Sequence, residues 1–111
     1  MKAYKLVRKL KNGELAPLFI NKRLRFKVGE LYEAEFHPTK GFAPREGLHC
    51  CLSPFAPHLS TKERVWIEVD IEEFEYYERP ESQGGKWVLA NLMLVVKELT
   101  FDEVGCMLEI T

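Results

Sequence analysis

The side chains best able to do chemistry crowd into one stretch of the chain. From His37 to Ser60, HPTKGFAPREGLHCCLSPFAPHLS, lie all three histidines, two of the three cysteines and four of the six prolines. An irregular, ring-stiffened segment rich in imidazole and thiol is where a small protein commonly builds a binding surface. His37, His49, His58, Cys50, Cys51 and Cys106 together offer nitrogen and sulfur donors. The spacing His-x(11)-His-Cys-Cys-x(6)-His matches no compact tetrahedral set, and adjacent cysteines seldom serve as two ligands of one zinc, so no metal is assigned. Nucleophilic catalysis needs a thiol beside a base. In an extended strand neighbours point to opposite faces, which places His49 with Cys51 and not with Cys50. That pair reads equally well as a packed thiol next to a hydrogen-bonded imidazole, and no catalytic residue is assigned.

A second polar group lies at Arg79-Pro80-Glu81-Ser82-Gln83-Gly84-Gly85. Two glycines could cradle a phosphate if a helix followed, but Trp87-Val88 predicts a strand, and the pair then serves a backbone reversal. Turn chemistry does not require the polar residues on these two segments, since Pro44, Gly47, Pro80 and Gly84 already shape the backbone. The candidate binding residues are therefore Lys40, Arg45, His49 and His58 on the first segment, and Arg79, Glu81 and Gln83 on the second. Tyr4, Lys5, Phe19, Lys22, Arg23, Arg25, Phe26 and Lys27 interleave aromatic and basic residues in a way that suits a phosphate backbone or an acidic groove. A net charge of −1 excludes a general nucleic-acid binder.

These residues must be positioned by a mainly β framework. Ala3 to Leu10 alternates, and Lys11-Asn12-Gly13-Glu14 supplies a tight hairpin turn to a second strand over Leu15 to Ile20, which Pro17 confines to an edge or interrupts. Leu24 to Val28 and Leu31 to Phe36 extend this into a meander, with Glu33 and Glu35 on one side. Arg64 to Ile71 alternates without error, Val65, Ile67, Val69 and Ile71 facing inward. At Glu72-Glu73 the phase breaks, because Phe74 and Tyr76 take even positions, and the strand should bend or bulge there. Lys86 to Leu99 reads as a central strand covered on both faces, although Leu89 to Leu99 also fits a buried helix. Thr100-x-x-Glu103 has capping-box spacing for a short C-terminal helix, which Gly105 weakens.

Length and composition fit one domain, 1–111: 111 residues with 46% hydrophobic content can pack a single core. The expected fold is α+β, mainly β, built on a bent and mostly antiparallel sheet with a long proline-rich loop and a short C-terminal helix. The first 27 residues are strongly basic and Glu63 to Glu81 strongly acidic. If the two pair as neighbouring strands the charges partly cancel; otherwise the surface is bipolar. No apolar run approaches the ~20 residues of a membrane span and no signal peptide is evident, so a cytoplasmic protein with reduced, buried or half-buried thiols is expected.

HPTKGF at 37–42, GLHCC at 47–51, APHLS at 56–60, RVWIEV at 64–69 and RPESQGGKWVLAN at 79–91 resemble a group of small, uncharacterised proteins of bacteriophages and prophages, mostly of gut Firmicutes. More remotely, the first strand with Tyr4 and Arg8, the Gly-x-His strand running into Ser53-Pro54 and the Val-x-Ile-x-Val strand are similar to degenerate relatives of the ADP-ribosyltransferase fold. In that likeness Arg8 and Ser53 take two of the family's positions, and Glu73-Phe74-Glu75 offers a Glu-x-Glu. The first resemblance implies a phage setting. Small phage proteins without an evident catalytic set commonly act by binding, and blocking a host defence is one frequent role.

The leading expectation is thus a non-enzymatic, cofactor-free binding protein in the cytoplasm of the bacterial host, antagonising a defence system as an anti-CRISPR protein does. Its partner would be a host defence protein or ribonucleoprotein met through charged faces. One alternative is a binder of a nucleotide signal in a pocket between the two polar loops, and another is a degenerate ADP-ribosyltransferase-like enzyme. No membrane partner is expected, and a homodimer is compatible with the sequence.

Overall fold

The structure is a computed structural model that describes residues 1–18, 23–34 and 48–109. Among these residues six strands and one α-helix follow in the order β1 (Lys2–Lys9), β2 (Leu15–Ala16), β3 (Leu31–Glu33), β4 (Leu48–Cys51), β5 (Arg64–Glu78), β6 (Lys86–Glu98) and α1 (Phe101–Glu109). Every pairing is antiparallel. Strand β1 pairs with β5, β5 with β6, β6 with β4, and β4 returns to β1 through the single pair Tyr4 and Cys51. The expected bent sheet therefore curls until its pairings form a ring. Among the described residues no helix is long and apolar enough to cross a membrane.

The first hairpin is made by Asn12 and Gly13. The Asn12 side-chain oxygen accepts from the Glu14 backbone N–H at 3.0 Å, and Gly13 adopts φ +88°, which a residue with a Cβ resists. Strand β2 then stops at Ala16, before Pro17, which has no N–H for a ladder. The expected strand over Leu24 to Val28 is reduced to one bridge, Leu15 to Phe26. Strand β3 does not continue a meander but joins β6, Leu31 opposite Leu94. Residues 19–20 and 35–36 of the expected strands, Glu35 among them, lie outside the described residues.

The basic and acidic segments do pair: Lys2 stands opposite Asp70, Tyr4 opposite Glu68, and the Lys2 ammonium is 3.6 Å from the Glu68 carboxylate. On the long hairpin, Ile71 opposite Met93 and Phe74 opposite Ala90 all join the inner core, although 71 and 74 differ in parity. Both strands change face together at this point, and Glu73 takes φ +53° where the bend was expected. The shift of register lies elsewhere, between Glu68 and Val69, where Val96 is the extra residue on β6. Lys86 to Glu98 is strand throughout rather than helix, and its outer face is not fully covered, since Val96 is 39% exposed.

Inside the ring pack Ala3, Val7, Phe26, Cys50, Ile67, Val69, Ile71, Val88, Met93 and Val95. A second apolar layer of Leu6, Cys51, Ala56, Trp66, Trp87 and Leu99 lies on the opposite face, with Leu59, Val104 and Met107 against it. It is covered by α1 and by the described end of the proline-rich segment, which carries Pro54 and Pro57 and contains no strand or helix over 52–63. The helix begins with the expected capping box: Glu103 N–H donates to Thr100 Oγ1 at 3.1 Å and Thr100 N–H to Glu103 Oε1 at 3.3 Å. The Glu103 carboxylate also pairs with Lys97. Cys50 and Cys51 are buried free thiols, while Cys106, expected to be at least half-buried, is exposed on α1.

Candidate functional site

Strand alternation selects which side chains meet on the outer face. On β4, Leu48 and Cys50 point into the ring, so His49 and Cys51 point out. On β6, Trp87 lies between Cys51 of β4 and Tyr77 of β5, its paired neighbours on either side. The Tyr77 hydroxyl reaches His49 Nδ1 at 2.7 Å, with the two rings edge to face. The expectation that His49 shares a face with Cys51 is met, but the imidazole is engaged by the phenol.

The turn after β5 brings up the cation. Arg79 N–H donates to Gly85 O, Gln83 N–H to Pro80 O and Gly84 N–H to Glu81 O, which wraps residues 81–83 into a single 3-10 turn. Gly84, at φ +99°, reverses the chain into β6, as the Gly pair was expected to do; a strand follows it and not a helix. A Cβ at Gly84 would stand 3.1 Å from the Trp87 ring nitrogen and 3.2 Å from the Phe55 carbonyl oxygen. The close approach lets Trp87 Nε1–H donate to Gln83 O at 2.6 Å and sets the turn against the 52–63 segment.

Arg79 lies over the Trp87 ring, its guanidinium carbon 4.4 Å from the centroid, and 5.7 Å from that of Tyr77. His58 approaches from the 52–63 segment, its ring 5.7 Å from Trp87 and its Nε2 3.4 Å from an Arg79 nitrogen. Burial and then the Arg79 charge hold the His58 imidazole below its ordinary pKa, so near neutral pH it is uncharged and accepts from the guanidinium. Among the described residues no carboxylate pairs with Arg79. Half-buried and fixed on an indole, with no counter-ion among the described residues, the guanidinium is disposed to receive an anion.

Of the seven sequence candidates, the structure brings together His49, His58, Arg79 and, through its backbone carbonyl, Gln83. Glu81 is exposed on the turn, and among the described residues its carboxylate meets none of the rings. Lys40 and Arg45 lie outside the described residues, as does His37. Tyr77 and Trp87, which join the two loops, were not among the candidates. Their signal was available: they flank the Arg79 to Gly85 turn and stand opposite one another across the hairpin.

The thiols are poor nucleophiles in this setting. Burial, and then Cys50, push Cys51 up to about 12, against the opposing pull of Lys5 and Arg79. Burial pushes Cys50 up to about 11, against Lys5. Both are neutral thiols at physiological pH. Among the described residues no three His, Cys, Asp or Glu side chains converge as a metal site would require. Comparison of the chain with protein-family models, with curated proteins and with solved structures finds no match in any of the three.

Proposed function

We propose that this chain is a non-enzymatic binding protein that grips an acidic or phosphate-bearing group of its partner at Arg79, and that it serves a phage as an antagonist of a bacterial defence complex. The observation that carries the binding site is the Arg79 guanidinium, held on Trp87 and His58 with no carboxylate among the described residues to neutralise it. The likeness of the sequence motifs to phage proteins supports the setting. Enzymatic alternatives find less support: Arg8 donates to Pro17 O at 2.7 Å beside the start of β5, whereas Glu73 lies at the bend well along that strand and holds Asn91 Nδ2 at 2.7 Å.

The test is a plaque assay in a bacterial host carrying an active CRISPR system, with the wild-type chain or Arg79→Ala expressed. Restored plating with the wild type and its loss with the variant, at equal thermal stability, supports the proposal. No protection by the wild type, or full protection by Arg79→Ala, opposes it. Capture of the partner should weaken as salt rises, since a contact to a guanidinium is screened. The aromatic rings of Trp87 and Tyr77 beside the cation also suit a nucleotide. Calorimetric titration with mononucleotides and cyclic dinucleotides separates that second reading, because a protein partner leaves such titrations flat.

A further inference from the structure

Strand β5 outruns its partner β1. Lys2 to Arg8 stand opposite Asp70 to Arg64, and the pairing closes at Met1, whose carbonyl accepts from Ile71 N–H at 2.8 Å and whose ammonium donates to Ile71 O at 2.9 Å. Glu72 to Glu78 continue past this point, held on one side by β6 and on the other by no described strand. The described residues that flank the undescribed segments lie elsewhere: Ala34 and Leu48 on the side of β6 away from β5, and Pro17 beside Arg8 at the opposite end of β1.

The turn shows which backbone groups this edge offers. Arg79 N–H donates to Gly85 O, and since bonding alternates along an antiparallel pair, Tyr77 and Glu75 turn their backbone groups toward β6. Phe74, Tyr76 and Glu78 turn theirs to the open side. Between the positive φ of Glu73 and the turn, Phe74 to Glu78 give about 17 Å of strand, a template on which a further strand can pair.

The side chains decide which strand fits. Glu72, Glu73, Glu75 and Glu78 are all exposed, and among the described residues none of the four carboxylates pairs with a cation. Tyr76, 53% exposed and edge to face with Phe74, adds an aromatic surface, and the Lys86 ammonium already lies over its ring at 5.2 Å from the centroid. A second copy is a poor occupant, because joining two such edges brings the carboxylates of both together. A basic strand is complementary.

We propose that the edge of β5 from Phe74 to Glu78 takes up an extended, lysine- or arginine-bearing segment of a partner protein as an added strand. Backbone bonds to Phe74, Tyr76 and Glu78 hold the segment, and Glu75 and Glu78, on opposite faces, select basic residues beside them. The contact uses neither Arg79 nor Trp87, so it stands or falls apart from the anion site.

The test is amide hydrogen exchange by NMR on the intact protein, with the synthetic peptide Lys-Val-Lys-Thr-Val-Lys or its counterpart Glu-Val-Glu-Thr-Val-Glu added. The lysine peptide should slow exchange at Phe74, Tyr76 and Glu78 about fivefold at about 80% occupancy, and the glutamate peptide should slow none of them. Tyr76→Pro deletes an N–H on the open side and none that faces β6, so it should abolish the effect while Trp87 and Leu89 keep their protection. Reversing charge with Glu75→Lys and Glu78→Lys together should weaken binding at least about tenfold. Slowing that persists in Tyr76→Pro, or no slowing by the lysine peptide, overturns the proposal. So does protection of these three amides in the free protein, which would show the edge filled by the chain itself or by a second copy, two cases that sedimentation separates.

Discussion

Tyr77 and His49 meet across β6, hydroxyl to ring nitrogen at 2.7 Å, with their ring centroids 5.8 Å apart. The contact ties the end of β5 to β4, two strands that share no ladder, and so fastens one side of the Arg79 site to the other. Tyr77→Phe keeps the ring and deletes the hydroxyl. It should lower stability by about 1 kcal/mol, the usual net worth of one such hydrogen bond, and Tyr77→Ala by about 2 to 4 kcal/mol once ring packing is lost as well. Urea unfolding monitored by circular dichroism measures both; an unchanged midpoint for Tyr77→Phe would show that the bond contributes nothing.

The His58 imidazole gives the site a pH response whose sign is fixed. Its folded pKa lies below the ordinary 6.5, so in mildly acidic solution the unfolded chain binds the proton more readily than the folded one. The stabilisation is complete above about pH 6.5 and is lost as pH falls through that value toward the lowered folded pKa. His58→Gln should flatten this part of the stability curve. Protonation also sets two cations side by side over Trp87, so indole fluorescence should change over the same range in the wild type and not in the variant.

Gly84 and Gly85 both have positive φ, but only Gly84 is crowded. Gly85→Ala meets open space and should lose about 1 kcal/mol through backbone strain alone. Gly84→Ala adds a methyl against the Trp87 nitrogen and the Phe55 carbonyl, and should cost more, about 2 to 3 kcal/mol, with a shift in tryptophan emission. Equal melting temperatures for the two variants would contradict the packing described for the turn.

Thiol labelling should divide the cysteines one against two. Cys106 is exposed, whereas Cys50 and Cys51 are buried and pushed up to about 11 and about 12. Iodoacetamide at about pH 7.5 should modify Cys106 alone in the native protein and all three in denaturant, as read by intact-mass spectrometry. Rapid native labelling of Cys51 would mean that the layer formed with Trp87 and Ala56 opens readily.

Much of the framework was legible because it is local. The alternation from Arg64 to Ile71, the phase break at Glu73, the Asn12-Gly13 turn and the Thr100–Glu103 box each depend on residues a few positions apart. Which strand pairs with which was not legible, since a period of two names a buried face and not a partner. The charges gave one correct hint, basic β1 against acidic β5. Pro17 and the bridge at Phe26 show how short a real strand can be where a plausible pattern exists. In the candidate site, His58 and Arg79 stood out in the sequence because turns do not need their side chains. Tyr77 and Trp87 were missed because alternation does not say which residues stand opposite one another across the hairpin, and a tryptophan in an apolar run reads as core.

Pairing β1 with β5 has a consequence for the order of assembly. The β5–β6 hairpin closes through the short turn at 79–85, whereas β1 leaves the ribosome before β2, β3 and β4 and must wait for its partner. Until β5 emerges, Leu6 and Val7 have neither Trp66 nor Val65 to cover them. Between its own emergence and that of β5, most of β1 is thus an unmatched strand, and the lysines and arginines along it disfavour pairing with its counterpart on another chain.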